Sequence, residues 1–302
     1  SSAEQLGRVV ARYRTAKGGA LYCSTGVNQA QHSTLAYWIL NVINCVSGNL
    51  DRSGGMLVPR GLIDTARTAK MAGIGERKDR SRIGNFESVM DSFPAGILPD
   101  EIFTAGPGQV RALFVSAGNP LLSCPNTERM AAAISELELV VSVDMFRNET
   151  GNLAHYILPA TSFFERADLP LPANGFQPVP YLQWSDAMVQ PDGEQRDEWW
   201  IYTELARACG ARLFGKHMRG SLFADIFFRL NRQLEKLPLL GKRISFKPEW
   251  MMQALVLASR QITPARLRKQ THGVLLKPNR PQDFLGKRVL TESFKGNVMG
   301  QA

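Results

Sequence analysis

The chain has few cysteines and arranges them poorly for metal binding. Cys23, Cys45, Cys124 and Cys209 are scattered singly over 302 residues, with no Cys-x-x-Cys pair and no cluster with the four histidines. A zinc site or an iron–sulfur cluster held within this chain is therefore not expected, and no residue is assigned as a metal ligand. Isolated thiols of this kind suit a reducing compartment, so the expected location is cytoplasmic. No apolar run approaches the ~20 residues that cross a bilayer. The opening Ser-Ser-Ala-Glu-Gln lacks the basic-then-apolar layout of a secretory signal, and without an initiator Met it reads as a cut end. Also absent are Gly-x-Gly-x-x-Gly after a strand, Gly-x4-Gly-Lys-Ser/Thr and Gly-x-Ser-x-Gly, which removes the ordinary dinucleotide, P-loop and serine-hydrolase readings. What is present is ordinary: 44% hydrophobic and 21% charged residues, the composition of a folded globular protein rather than a disordered one.

Charge is unevenly placed. Residues 1–210 hold 18 Lys/Arg against 22 Asp/Glu, whereas residues 211–302 hold 18 against 5. The net charge of +9 thus belongs to the last third. Aromatic residues do not interleave with the basic ones as single-strand binding would require, so nucleic acid is not the expected partner. A basic segment covering an acidic part of the same protein or of a neighbouring subunit is the simpler reading.

Periodicity divides the chain near residue 210. Gly18–Ser24 is a short apolar run that reads as a buried strand. The loop Thr25-Gly26-Val27-Asn28-Gln29 follows, then a helix over 31–46 with Leu35, Trp38, Ile39, Val42, Ile43 and Val46 at helical spacing. Gly48-Asn49 ends it. The region 56–108 reads as irregular, with short helices such as 85–93. Arg111–Ala117 is a second apolar strand, with a turn at Gly118-Asn119-Pro120 and a helix over 126–137. Leu137–Val143 is a third strand ending at Asp144, and His155–Leu158 a fourth. A further helix runs from about 199 to 209, stopped by Gly210. Strands apolar throughout, alternating with helices, predict an α/β fold: a doubly wound, Rossmann-like, mainly parallel sheet with helices on both faces. After 211 the chain reads as a basic helical segment, including an apolar helix at 250–258, and from about 271 as a connector without its own core.

In such a sheet the loops at the strands' carboxyl ends converge on one crevice. Thr25, Asn28 and Gln29 would follow the first strand, Gly118, Asn119 and Ser123 the second, and Asp144 the third. The helix opening near Cys124–Asn126 offers amides suited to phosphate. An ionised Asp144 could accept hydrogen bonds from a guanine edge or a ribose. His32 and His155 read as structural, since neither joins a triad.

Taken in order, several blocks resemble one family. Thr25-Gly-Val-Asn-Gln29, Gly48-Asn-Leu-Asp-Arg-Ser-Gly-Gly55, Ala117-Gly-Asn-Pro120, Val140–Thr150, Ala154-His-Tyr-Ile-Leu-Pro-Ala160, Glu165 and Gly193–Trp199 look like the molybdopterin oxidoreductases of the dimethyl sulfoxide reductase superfamily. The resemblance covers residues 20–210 and is most like the formate dehydrogenase and nitrate reductase branch. It implies a molybdenum or tungsten ion held between two pyranopterin dithiolenes that carry guanine dinucleotide tails, with this chain at the α/β domain that cradles one tail. It would place Thr25 and Gln29 along the pterin and its phosphates, Gly118, Asn119 and Ser123 along the dinucleotide, and Asp144 at the guanosine end. Arg166, Asp197 and Glu198 stand where basic and acidic residues meet the cofactor. No catalytic residue is assigned.

The resemblance also implies that the four-iron cluster motif, the residue ligating the metal and the carboxyl-terminal barrel lie outside this chain. The chain would then be the cofactor-binding portion of a larger catalytic subunit performing two-electron chemistry on a small-molecule substrate, inactive by itself. Its partners would be the remaining domains of that subunit and an electron-transfer subunit. Residues 1–210 would form the α/β dinucleotide-binding domain and 211–302 a basic helical segment and connector towards the carboxyl-terminal domain. A competing reading is a non-catalytic scaffold domain, as in the large iron–sulfur subunit of a respiratory complex. It draws on His155 and on the altered segment after Glu165.

Overall fold

The computed structural model describes residues 2–75, 77–175, 177, 179–211, 221–235 and 247–289. Its fold is α/β. Three parallel strands, β1 (Ala112–Ser116), β2 (Leu139–Asp144) and β3 (Tyr156–Pro159), lie in the order β1-β2-β3. Ser116 sits opposite Val143, and Asp144 opposite Pro159. Because all three strands point the same way, their carboxyl ends share one edge of the sheet.

The central strand explains why these residues form a sheet. Val140, Val141, Ser142 and Val143 are all buried, and β-branched side chains fit a pleated surface covered on both sides. Val140 packs with Met130, Ala133 and Ile134 of the helix Thr127–Ser135, together with Ile102, Leu121 and Leu137. Val143 packs with Ala160 and with Ile201 of the helix Glu198–Ala208. Residues 140 and 143 differ in parity along an alternating strand, so the two helices cover opposite faces. The first helix starts where Asn126 accepts the Arg129 amide at 3.2 Å, a side-chain cap on an otherwise open turn. Truncating the fully buried Ile134 should cost about 2–5 kcal/mol.

A second core lies beside the sheet. Leu62, Leu169, Leu182 and Trp184 meet Val256, Leu267 and Leu276. There β4 (Tyr181–Leu182) pairs antiparallel with β5 (Val274–Leu275). The stretch after 271, read from sequence as a connector, is thus tied into the molecule. One carboxylate oxygen of Asp51 accepts the amides of Phe284 at 2.9 Å and Leu285 at 2.8 Å. Arg288 donates to the Val58 carbonyl at 2.6 Å and pairs with Asp64 at 3.5 Å. Helices occur at Ser221–Glu235, Pro248–Ser259 and Pro264–Arg268. The rest of the expected basic segment, at 212–220, 236–246 and 290–302, lies outside the described residues. Among the described residues no helix is long and apolar enough to cross a membrane.

Two local expectations differ from the structure. Gly18–Ser24 takes no regular secondary structure and pairs with no strand among the described residues. Its backbone is satisfied by asparagine side chains instead. The Leu21 amide donates to Asn44 Oδ1 at 3.1 Å, the Leu21 carbonyl accepts from Asn44 Nδ2 at 3.4 Å, and the Gly19 amide donates to Asn49 Oδ1 at 3.3 Å. Asn44 is fully buried on the helix Ser33–Val46. Gly18 must also stay small, since a β-carbon there would sit 2.6 Å from the Gly54 backbone. The second difference is 85–93, where Asn85, Met90 and Asp91 take φ values of 52°, 50° and 62°, which no helix tolerates. Bridges Arg80–Glu87 and Val89–Ser92 replace it.

Candidate functional site

The carboxyl edge of the sheet carries a connected set of polar side chains. At the end of β1 the chain turns through Ala117, a non-glycine residue with φ 47°, the sparsely populated backbone state that concentrates at functional sites. Asn119 follows, and both ends of its amide are used. Its Nδ2 donates to Glu149 Oε2 at 2.6 Å, and its Oδ1 accepts from Thr150 Oγ1 at 2.7 Å. The orientation is enforced, because the reversed amide would set an acceptor against a carboxylate. Ser123 Oγ donates to the Asn119 carbonyl at 3.0 Å. The fully buried Thr150 also accepts the Leu121 amide at 3.3 Å.

At the end of β2, Asp144 accepts the Phe146 amide on Oδ1 at 3.0 Å and Asn148 Nδ2 on Oδ2 at 3.1 Å. Asn148 Nδ2 also reaches the Gly118 carbonyl at 3.4 Å, and its Oδ1 accepts the Gly151 amide at 2.9 Å. One side chain therefore ties the β1 turn, the Asp144 carboxylate and the helix Glu149–Asn152 together. Glu149 is held below the usual glutamate range by its own backbone amide and then by Asn119.

At the end of β3 lies a second group. The buried Thr161 donates to Asp197 Oδ1 at 2.6 Å, and Trp199 Nε1 donates to Asp197 Oδ2 at 3.2 Å. Arg166 forms an ion pair with Glu198, with side chains 35% and 28% exposed. Arg166 thus meets Glu198, whose neighbour Asp197 is tied through Thr161 to the residues that follow β3.

Among the described residues no hydrogen bond links Thr25 or Gln29 to this edge. Thr25 opens the short helix Thr25–Asn28 and Gln29 caps it, both exposed, and the Gln29 amide donates to the Thr25 carbonyl at 3.0 Å. The expected first strand is absent from the sheet, so the physical reason for placing them at a strand end falls away. His155 takes the structural role read for it. Its Nδ1 accepts the Val140 amide at 3.0 Å and its own amide donates to the Val140 carbonyl at 2.9 Å. Sequence reasoning missed Asn148, Glu149 and Thr150 as site residues. The available signal was a helix-capping asparagine followed by Glu-Thr directly after a strand-end aspartate.

The family model described as molybdopterin oxidoreductase matches residues 9–208. The chain belongs to this family. The probable oxidoreductase YyaE of Bacillus subtilis is 29% identical over 139 residues, 45% of this chain and 20% of that protein. Formate dehydrogenase H of Escherichia coli is 26% identical over 223 residues, 69% of this chain and 30% of that protein. Acetylene hydratase from Pelobacter acetylenicus, a solved structure, superposes with a TM-score of 0.63 at 17% identity, over 97% of this chain and 40% of that one. The chain therefore spans well under half the length of these relatives, and the structural likeness concerns the fold.

A molybdenum or tungsten pterin cofactor is implied by the family, and the strand edge can be tested for it. The amides of Gly118 and Asn119 donate to no acceptor among the described residues. A β-carbon on Gly118 would meet nothing nearer than 3.5 Å, so the fold itself does not require glycine there. Among the described residues each Asp144 oxygen has one partner and keeps a lone pair for another donor. Open amides beside an open carboxylate fit a ligand with both phosphate and nucleoside parts.

Proposed function

We propose that this chain is the cofactor-binding portion of the catalytic subunit of a molybdenum or tungsten oxidoreductase. Within the family we assign it to the formate dehydrogenase and nitrate reductase branch. The cofactor is proposed to be the guanine dinucleotide form, with one tail lying along the carboxyl edge of a sheet read as doubly wound. The observation that carries this is the pairing, in a chain of this family, of open Gly118 and Asn119 amides with the unsaturated Asp144 carboxylate. When bound, the metal supplies two-electron redox chemistry, and the protein's part is to bind and orient the cofactor.

The residue roles follow from chemistry. The amides of Gly118 and Asn119 face the pyrophosphate, as backbone donors at a turn do. Ser123 fixes the Asn119 carbonyl, and Asp144 accepts from the guanosine end. Arg166, held by Glu198, offers a cation near the phosphates, and Asp197, which accepts from Thr161 and the Trp199 indole, stands beside them. Thr25 and Gln29 are assigned to the pterin on the family resemblance alone. Dinucleotide binding is assigned to 1–210, with 211–302 as a basic helical segment that packs against that part through Val256, Leu267 and Leu276 and leads towards a further domain.

The expected partners are the remaining domains of the subunit, which would carry the four-iron cluster and the metal ligand, together with an electron-transfer subunit and a small-molecule substrate. The location proposed is cytoplasmic. Large apolar side chains support the domain partners. Leu6 and Val9 on the helix Ala3–Thr15 are each 61% exposed, and Trp38 and Val46 on Ser33–Val46 are 41% and 73% exposed, a surface that water alone covers poorly. The test is to express the full-length subunit, denature it, and measure released metal and guanine nucleotide. Loss of both in Asn119→Ala/Asp144→Ala supports the reading, and unchanged contents reject it.

A further inference from the structure

Singly exposed apolar side chains are common and need no explanation. Phe146 differs because its backbone is fixed from both sides while its ring is left bare. Its amide donates to Asp144 Oδ1 at 3.0 Å and its carbonyl accepts the Asn148 amide at 3.1 Å. Asn148 Nδ2 in turn holds Asp144 Oδ2 at 3.1 Å. Carboxylate and turn are thus locked together, yet the Phe146 side chain is 71% exposed and pairs with no aromatic ring among the described residues.

We propose that Phe146 is a base platform, a purine lying on its ring while the Asp144 carboxylate reads the purine edge. The proposal rests on the dinucleotide reading above and adds a residue that determines base specificity. A purine needs two things at once, an apolar π face and an edge partner, and the turn presents both from residues two apart. The two Asp144 oxygens, each with a lone pair to spare, accept from the N1–H and exocyclic amine of guanine. Adenine sets the bare acceptor N1 against the same carboxylate and is refused. Base–aromatic stacking is strong enough to measure and tolerates any flat ring. Phe146→Tyr therefore keeps the platform, while Phe146→Leu keeps apolar cover and loses it.

The experiment is calorimetric titration of the full-length, cofactor-free subunit with GMP, AMP and ribose 5-phosphate. Wild type should prefer GMP to AMP. Phe146→Leu should weaken GMP binding about tenfold, Phe146→Tyr should match wild type, and neither should change ribose 5-phosphate binding. Circular dichroism should show both variants folded, as expected for an exposed side chain. GMP binding unchanged in Phe146→Leu overturns the platform while leaving the dinucleotide reading standing. Equal weakening of GMP and ribose 5-phosphate also overturns it, because the ring would then act only on the turn. A wild-type protein that binds no GMP removes the dinucleotide reading itself.

Discussion

Thr150→Val separates the polar linkage at the strand edge from its packing. Thr150 is fully buried, and valine has nearly its shape. The hydroxyl performs two tasks: it donates to Asn119 Oδ1 at 2.7 Å and accepts the Leu121 amide at 3.3 Å. Valine can do neither. Asn119 keeps its bond to Glu149, but the Leu121 amide, in a residue only 7% exposed, is left without a partner. An orphaned buried donor plus one lost neutral hydrogen bond costs about 1–3 kcal/mol. The Leu121 bond is long, which puts the expected loss at ~2 kcal/mol. Thr150→Ser keeps the hydroxyl and gives up one methyl, a loss of about 1 kcal/mol. The two variants thus divide polar from apolar contributions. Urea unfolding of each gives the stability change, and released guanine nucleotide after denaturation gives cofactor retention. Valine should lower retention, since Asn119 loses its second anchor, whereas serine should not. Equal retention in the two variants would refute the claim that the hydroxyl positions Asn119.

Other outcomes follow from the same edge and from the amino-terminal unit. Gly118→Ala meets no contact nearer than 3.5 Å, so unfolding should shift by no more than about 0.5 kcal/mol while cofactor retention drops; a large stability loss would contradict the open space described. Glu149 is depressed in the folded protein, so its contribution is present above the ordinary glutamate range and disappears as pH falls through the lower folded value. Stability measured from pH 7 to pH 3 should therefore show a weaker acid decline in Glu149→Gln than in wild type, and identical curves would dismiss the contact. Asn44→Leu removes the partners of the Leu21 amide and carbonyl. The expected cost is about 2–4 kcal/mol, and hydrogen exchange at residues 19–21 should quicken.

The parts of the fold legible from sequence were those whose satisfaction is regular. Residues 139–143 are apolar but for Ser142, ahead of Asp144, and a fully covered parallel strand is what such a run builds. The helix at 127–135 carries its cap at Asn126 and its apolar positions at 130, 133 and 134. Asp144 and Asn119 were legible too, because a strand end fixes where the next side chains go, whatever their partners. Asn148, Glu149 and Thr150 were not, since their importance lies in cross-links to residues about 30 positions away. No local pattern encodes a bond of that reach.

The failure at residues 18–24 has a different cause. Its hydropathy is that of a strand, yet the segment forms none. Periodicity reports which side chains leave water; it says nothing about what receives the backbone's donors and acceptors. Here Asn44 alone serves both groups of Leu21 while also accepting the Tyr13 hydroxyl at 3.2 Å. One buried amide thus does locally what a neighbouring strand would do along its length. Thr25 and Gln29 follow this segment, so they are not placed by a strand of the sheet. Asn44→Asp tests this ordering directly. A carboxylate can still accept from Leu21 and Tyr13 but cannot donate to the Leu21 carbonyl. Exchange should therefore quicken at 19–21 while protection at β2 stays unchanged. Loosening of both together would mean that the amino-terminal unit and the sheet fold as one piece.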